Sequence, residues 1–231
     1  MNTPWTELVS VSIVLLSVLT IFLTILVASR FARTRGLPHL FWAIGLALVG
    51  ATLAEEVLLY EGVWSQPLIQ SYLFLIAVLV GILSVGSIET LSSVRIRRGY
   101  EAYVAATSVL LGLIAFTTPI EPSILTGGVV TGNPPVATLL ASILLTVPGA
   151  GVLLVTSLNG AFRLRKWSLL YITAGTAVIT AAGGLYVVSI PVTLYYAEFL
   201  GVFLLFLGFV SPLRAPAPAP APAPTAQGTA R

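Results

Sequence analysis

The 231-residue chain is 57% hydrophobic and only 8% charged, with a net charge of +3. A soluble domain of this size has nowhere to bury so much apolar surface, so the bilayer is its solvent. All eight acidic residues are glutamates, and there is one histidine, one lysine and no cysteine, which removes disulfides, thiolate metal sites and cysteine nucleophiles.

Seven apolar stretches follow one another. The first covers about Leu8 to Ser29, with no basic residues before it and Arg30, Arg33 and Arg35 after it. That order is the reverse of a cleavable signal peptide, so the helix is expected to stay and to hold its N-terminus outside. The second covers about Leu40 to Tyr60 and the third about Pro67 to Leu91, followed by Arg95, Arg97 and Arg98. The fourth, about Tyr103 to Phe116, is the shortest. A connection rich in Gly, Pro and Thr then runs from Thr117 to Pro134, with Glu121 as its only charge. Loops of this length often lie over a binding site, although an ordinary external loop reads the same way. The fifth stretch covers about Val136 to Leu158 and leads to Arg163, Arg165 and Lys166; the sixth covers Trp167 to Val188 and the seventh Pro191 to Leu213.

Ten of the eleven basic residues lie after helices 1, 3, 5 and 7, if Arg214 is counted with the last, and Arg231 falls on the same side. Basic residues concentrate on the cytoplasmic side of a membrane protein. The expected fold is therefore all-α: a seven-helix transmembrane domain over 1–214, in the cell membrane, with the C-terminus cytoplasmic. Residues 215–224 alternate Ala and Pro, which favours extended polyproline II, before a final Thr-Ala-Gln-Gly-Thr-Ala-Arg, so a disordered cytoplasmic tail is expected over 215–231. Net charge this small, carried beside helix ends, is topology control and not a nucleic-acid footprint.

A faint repeat links the first and last three helices. Leu26-Val27-Ala28-Ser29 matches Leu154-Val155-Thr156-Ser157, and Pro67 with Tyr72 matches Pro191 with Tyr196. A three-plus-one-plus-three parallel repeat with helix 4 as inverting linker would follow.

Hydroxyl residues recur at helical spacing: Ser10, Ser17 and Thr24 on helix 1, Thr138, Ser142 and Thr146 on helix 5, Thr173, Thr176 and Thr180 on helix 6. Such stripes bond helices across a seam or line a polar path; the flat faces they make permit a homo-oligomer without requiring one. Pro148 is expected to kink helix 5.

The carboxylates are more pointed. Glu55 and Glu56 on helix 2 and Glu198 on helix 7 lie on the order of 10 Å below the outer helix ends, at about 1.5 Å per residue. No Lys, Arg or His stands at that level. An intramembrane acid without a basic partner is protonated, shares a proton with another acid, or holds a cation. Glu56 shares a face with Gly45, Thr52 and Tyr60, and Glu198 shares one with Tyr195, Gly201 and Gly208. Tyr60, Tyr72, Tyr186, Tyr195 and Tyr196 gather at the same depth. Two readings stand: an outward-facing Glu/Tyr pocket built by helices 2, 3, 6 and 7, or an interfacial tyrosine belt with glutamates reaching water. Glu89 and Glu101 are expected in surface ion pairs with the neighbouring arginines, and His39 at the inner interface.

The absences narrow the function further. One histidine cannot hold a bis-histidine haem, no His-Glu-x-x-His exists for zinc, and Ser84 and Ser87 near Gly86 have no membrane-buried histidine. Without aspartate, aspartyl proteases and Asp-dependent lipid transferases are excluded, so no catalytic residue, metal or cofactor is expected and an enzyme would need glutamate-only chemistry.

With its external N-terminus, the seven-helix layout resembles the microbial rhodopsins, which implies retinal on a helix 7 lysine. Helix 7 has none, and Lys166 lies in a loop. The three-plus-one-plus-three layout is similar to the SWEET and PQ-loop carriers, but Pro148 is followed by Gly149 where their signature has Gln. The stretches His39-Leu40-Phe41-Trp42 through Gly45 to Glu55, and Ala174-Gly175 through Gly183-Gly184 to Glu198 and Gly208-Phe209, resemble uncharacterised prokaryotic seven-helix membrane proteins, a likeness that implies no activity. The leading expectation is binding or transport of a small solute, proton or cation at Glu55, Glu56, Glu198, Thr52, Tyr60, Tyr72, Tyr195 and Tyr196. The alternative is a receptor, assembly or scaffold protein whose partners, beyond the lipid bilayer, meet its cytoplasmic face.

Overall fold

Seven α-helices account for nearly all of the computed structural model: α1 (Pro4–Thr34), α2 (Leu37–Tyr60), α3 (Gln66–Ile88), α4 (Val94–Thr117), α5 (Val136–Arg163), α6 (Ser168–Val187) and α7 (Pro191–Val210). The structure describes residues 4–210 except 92, 127–128, 131–133, 164, 166 and 188–190; side chains of 4–10 and of several residues in the α4–α5 connection, α6 and α7 are also outside the described set. The expected tail over 215–231 lies outside the described residues.

Five of the helices, α1 to α5, are long and apolar enough to cross a membrane. Their outward faces remain apolar: Val14, Val18 and Ile25 on α1, Val109 and Leu113 on α4, and Val147 and Val155 on α5 are all exposed. In water such a surface would drive aggregation; in hydrocarbon it costs nothing.

The helices pack as a ring in the order α1, α2, α3, α5, α6, α7, with α7 returning to α1, and α4 lies outside it against α3 and α5. The central layer joins Leu23, Val27, Trp42, Leu46, Leu83 and Leu205. Glycines set the closest approaches. A Cβ on Gly175 would stand 2.6 Å from the Gly201 carbonyl, so α6 and α7 meet backbone to backbone there, and a Cβ on Gly81 would meet Leu145 at 2.8 Å. Gly201 and Gly208 face α6, and Gly45 faces Leu83 of α3, as expected of interior stripes.

Three expectations change. Helix α4 begins at Val94, not near Tyr103, so Arg95, Arg97, Arg98 and Glu101 stand on the helix rather than in a loop. The whole of Val94–Thr117 is long and apolar enough to cross a membrane, with its arginines near the start. Glu89 is not in a surface pair: its side chain is only 3% exposed and bonds Arg97 at 3.0 Å. Finally, the hydroxyl stripes mostly bond their own helices. Ser17, Thr24, Ser142 and Thr146 donate to the carbonyl four residues back. Ser157 and Thr173, 2.9 Å apart, do join α5 to α6.

Polar contacts clasp α4 to the ring. The Tyr100 hydroxyl lies 2.8 Å from that of Ser84, which is fully buried on α3. Tyr103 donates to the carbonyl of Leu144 on α5. Pro148 lies inside α5, and as proline it has no N–H to give the carbonyl four residues back, which is that of Leu144. Tyr103 therefore supplies the hydrogen bond that the proline withholds. Tyr103→Phe is expected to lower stability by about 1 kcal/mol, the scale of interhelical hydrogen bonds in membranes. Unfolding in mixed detergent micelles measures it, and a neutral result in Tyr103→Phe with a loss in Pro148→Ala would remove the pairing.

Candidate functional site

At the end of the bundle opposite the arginines, α2 and α3 form a tight antiparallel hairpin through residues 61–65. Ser65 caps α3 by accepting from the Leu68 amide at 3.3 Å, and Pro67 occupies the first turn, where its missing N–H does no harm. This short turn places consecutive residues of α2 beside consecutive residues of α3. Tyr72 donates to Glu56 Oε1 at 2.7 Å, and Ser71 donates to Glu55 Oε1 at 2.6 Å. The Ser71 hydroxyl is also 3.0 Å from the Leu68 carbonyl, so its one hydrogen has a second acceptor.

Glu56 is 8% exposed and Thr52, one turn below, is also buried, with its hydroxyl donating to the Val49 carbonyl at 2.8 Å. Each glutamate keeps a second oxygen, Oε2, that is buried and has no hydrogen-bond partner among the described residues. The described Arg and His side chains lie elsewhere: His39 on the first turn of α2, Arg30, Arg33 and Arg35 at the foot of α1, Arg95 to Arg98 at the start of α4, and Arg163 and Arg165 at the foot of α5. Burying a carboxyl oxygen without a partner costs free energy, and native structures keep such groups where something else is meant to bind or where chemistry occurs.

The surroundings are apolar. On one side Leu59, Ile69 and Leu73 pack around the Tyr72 ring together with Ile120, Ile124 and Val130. These last three come from the α4–α5 connection, which is not featureless: it holds a 3-10 turn (Pro122–Ile124) and a two-residue antiparallel ladder of β1 (Leu125–Thr126) with β2 (Val129–Val130). Three residues of the connection thus share the buried cluster that includes Tyr72. Gln70 fastens its start by donating to the Thr118 carbonyl at 2.9 Å. On the other side Leu53 meets Leu16 of α1 and Val202 of α7.

Of the expected pocket, Glu55, Glu56, Thr52 and Tyr72 come together. Tyr60 is half-buried one turn beyond Glu56. Tyr196 is 45% exposed, on the outside of α7, and belongs to an apolar surface instead of the site. The side chains of Glu198, Tyr195 and Tyr186 lie outside the described residues. The backbone places Glu198 one turn from Val202, as Glu56 is nearly one turn from Leu53, so the two positions are level. Ser71 and Gln70 were not singled out from sequence. Their signal was the hairpin register: with a five-residue turn, two acids near the end of one helix face the polar residues at the start of the next.

Two open grooves on the surface differ in kind from this site. One, of about 450 Å³, is lined by Leu15, Val18, Phe22, Phe199, Phe203 and Phe206; the other, of about 170 Å³, by Thr20, Ile25, Leu46, Ala47 and Gly50. Both are apolar and face the lipid.

The fold and its apolar surface define a helical, membrane-type bundle with one buried and one half-buried carboxyl near one end. No protein-family profile, curated protein or solved structure matches the chain. The likenesses to rhodopsins, to sugar carriers and to other seven-helix proteins are therefore likenesses of layout.

Losing the Tyr72 hydroxyl leaves both oxygens of a buried carboxyl unpaired, whereas Glu55 is only half-buried. Tyr72→Phe is expected to cost about 2 kcal/mol and Ser71→Ala under about 1. Thermal unfolding of the purified variants ranks them, and the reverse order would contradict the assigned partners.

Proposed function

We propose that this protein is a multi-pass protein of the cell membrane that binds, and passes across the bilayer, a proton or small cation at the Glu55–Glu56 carboxyl pair. The observation that carries this reading is the unpartnered Oε2 of Glu56, buried in a bundle whose described basic side chains lie at the other end. A proton needs one oxygen; a divalent cation such as calcium wants six to eight, roughly, which the Glu55, Glu56, Ser71 and Tyr72 oxygens do not supply. The chemistry of the site therefore favours a proton or a singly charged ion over a divalent metal.

Glu198 joins the same reading through its level on α7. The ring order also fits a repeat in which α1 to α3 correspond to α5 to α7, with α4 outside as the linker. Both links that follow the corresponding helices α1 and α5 turn on an arginine with positive φ, Arg35 at 53° and Arg165 at 51°.

The expected result in sealed vesicles of phosphatidylcholine and phosphatidylglycerol is uptake of protons, or of radioactive sodium, that falls at least tenfold in Glu56→Gln. Glu55→Gln should fall less, because its carboxyl is the less buried. Wild-type uptake no greater than that of empty vesicles, by either probe, would remove passage across the bilayer from the reading.

Orientation is part of the proposal, with the arginine end in the cytoplasm. The chain contains no cysteine, so single cysteines report without background. Cysteine at Gly62 or Ser123 should react with a membrane-impermeant maleimide in intact cells, and cysteine at Arg35 or Arg165 should react only after lysis.

A further inference from the structure

Tyr72 has two faces of engagement. Its hydroxyl donates to Glu56 Oε1 at 2.7 Å, and its side chain belongs to the same buried cluster as Ile120 and Ile124 of the α4–α5 connection. The same segment is fastened to α3 two residues away, where Gln70 donates to the Thr118 carbonyl. Ile120 and Ile124 are 6% and 4% exposed, so the segment is a fitted cover. Glu121, between them, points to solvent and carries the segment's only charge. This cluster stands beside the α2–α3 hairpin that carries Glu56.

From this juxtaposition we propose that the segment Thr118–Leu125 is the access gate of the carboxyl site, and that Tyr72 couples its seating to what Glu56 holds. The inference rests on the reading of Glu55 and Glu56 as a proton or cation site. When a ligand takes the place of the Tyr72 hydroxyl on Glu56, or competes with it for Oε1, the ring shifts and the isoleucines lose their seat. By linkage, whatever loosens the seat must alter ligand binding by the same factor. On the elements packed about Glu56 the titratable residues are Glu55 and Tyr60 on its own helix, Tyr72 on α3, the exposed Glu121 on the connection, and the positions of Glu7 on α1 and Glu198 on α7.

The test uses the cysteine-free chain with Ile124→Cys as a reporter, in phosphatidylcholine and phosphatidylglycerol nanodiscs. The reaction rate with a charged methanethiosulfonate is followed while pH is stepped from alkaline to acid and, separately, while sodium is added. The expected result is a rate that changes at least fivefold with one of these two probes, and a rate indifferent to both when Glu56→Gln or Tyr72→Phe is added. Gln70→Leu, which frees the segment without touching the carboxyls, should raise the rate under all conditions and speed Glu56-dependent uptake in vesicles.

A reporter rate indifferent to both probes in the otherwise native protein overturns the gate. So does a dependence that survives Glu56→Gln and Tyr72→Phe. If vesicle uptake depends on Glu56 while the reporter is indifferent, the carboxyl site stands and the gate falls. If uptake is absent but the reporter responds through Glu56, binding at the site and its coupling to the segment stand, and passage across the bilayer falls. Monodisperse elution of each variant establishes that it is folded.

Discussion

Hydrocarbon offers no hydrogen-bond partner, and this one condition orders the whole molecule. A helix satisfies most of its own backbone, and at Pro148, where the pattern fails, a side chain makes good the loss. The Pro148 break in α5 is answered by Tyr103 from α4, across a sequence separation of 41 residues. Ser84, fully buried, is answered by Tyr100, and Glu89 by Arg97. These contacts also decide where α4 goes. Its apolar face offers Val104, Leu111 and Ala115 to the ring, a modest seam, and lipid would accept that face as readily as protein does. Polar pairs distinguish the docked helix from a dissociated one.

Against that background Glu55 and Glu56 stand out, because their pairing stops halfway. Serine and tyrosine hydroxyls are each matched to one oxygen of a carboxyl, and the other oxygen is left buried. A structural ion pair would resemble Glu89 with Arg97. A site that merely tolerated a carboxyl at an interface would leave it in water. This arrangement does neither, which is why the functional reading centres on it.

Much of the fold was legible because its cause is local. Apolar length marks each span, and the arginines mark alternate ends. The misreading of α4 arose where these signals overlap: Arg95, Arg97 and Arg98 mark a membrane boundary, and the helix runs straight through it. The hydroxyl stripes were misleading for a related reason. A serine or threonine in a helix can always reach the carbonyl one turn back, so spacing alone does not reveal a cross-helix bond. At the site, burial of Glu56 beside Tyr72 followed from depth and face, whereas Ser71 and Gln70 needed the register of a hairpin that composition does not encode. Tyr196 shows the converse: its face was misread, for the side chain is exposed on the outside of α7.

The ring order has a consequence for biogenesis. Neighbours in the sequence become neighbours in space for α1 to α3 and for α5 to α7, so each trio can assemble as it leaves the insertion machinery. The seams between α3 and α5 and between α1 and α7 cannot form in that order. The first must wait while α4 is laid aside, and the second joins the earliest helix to the latest. Until then Leu16 and Leu53 lack Val202 above them. Before α7 closes it, the ring is open between α6 and α1.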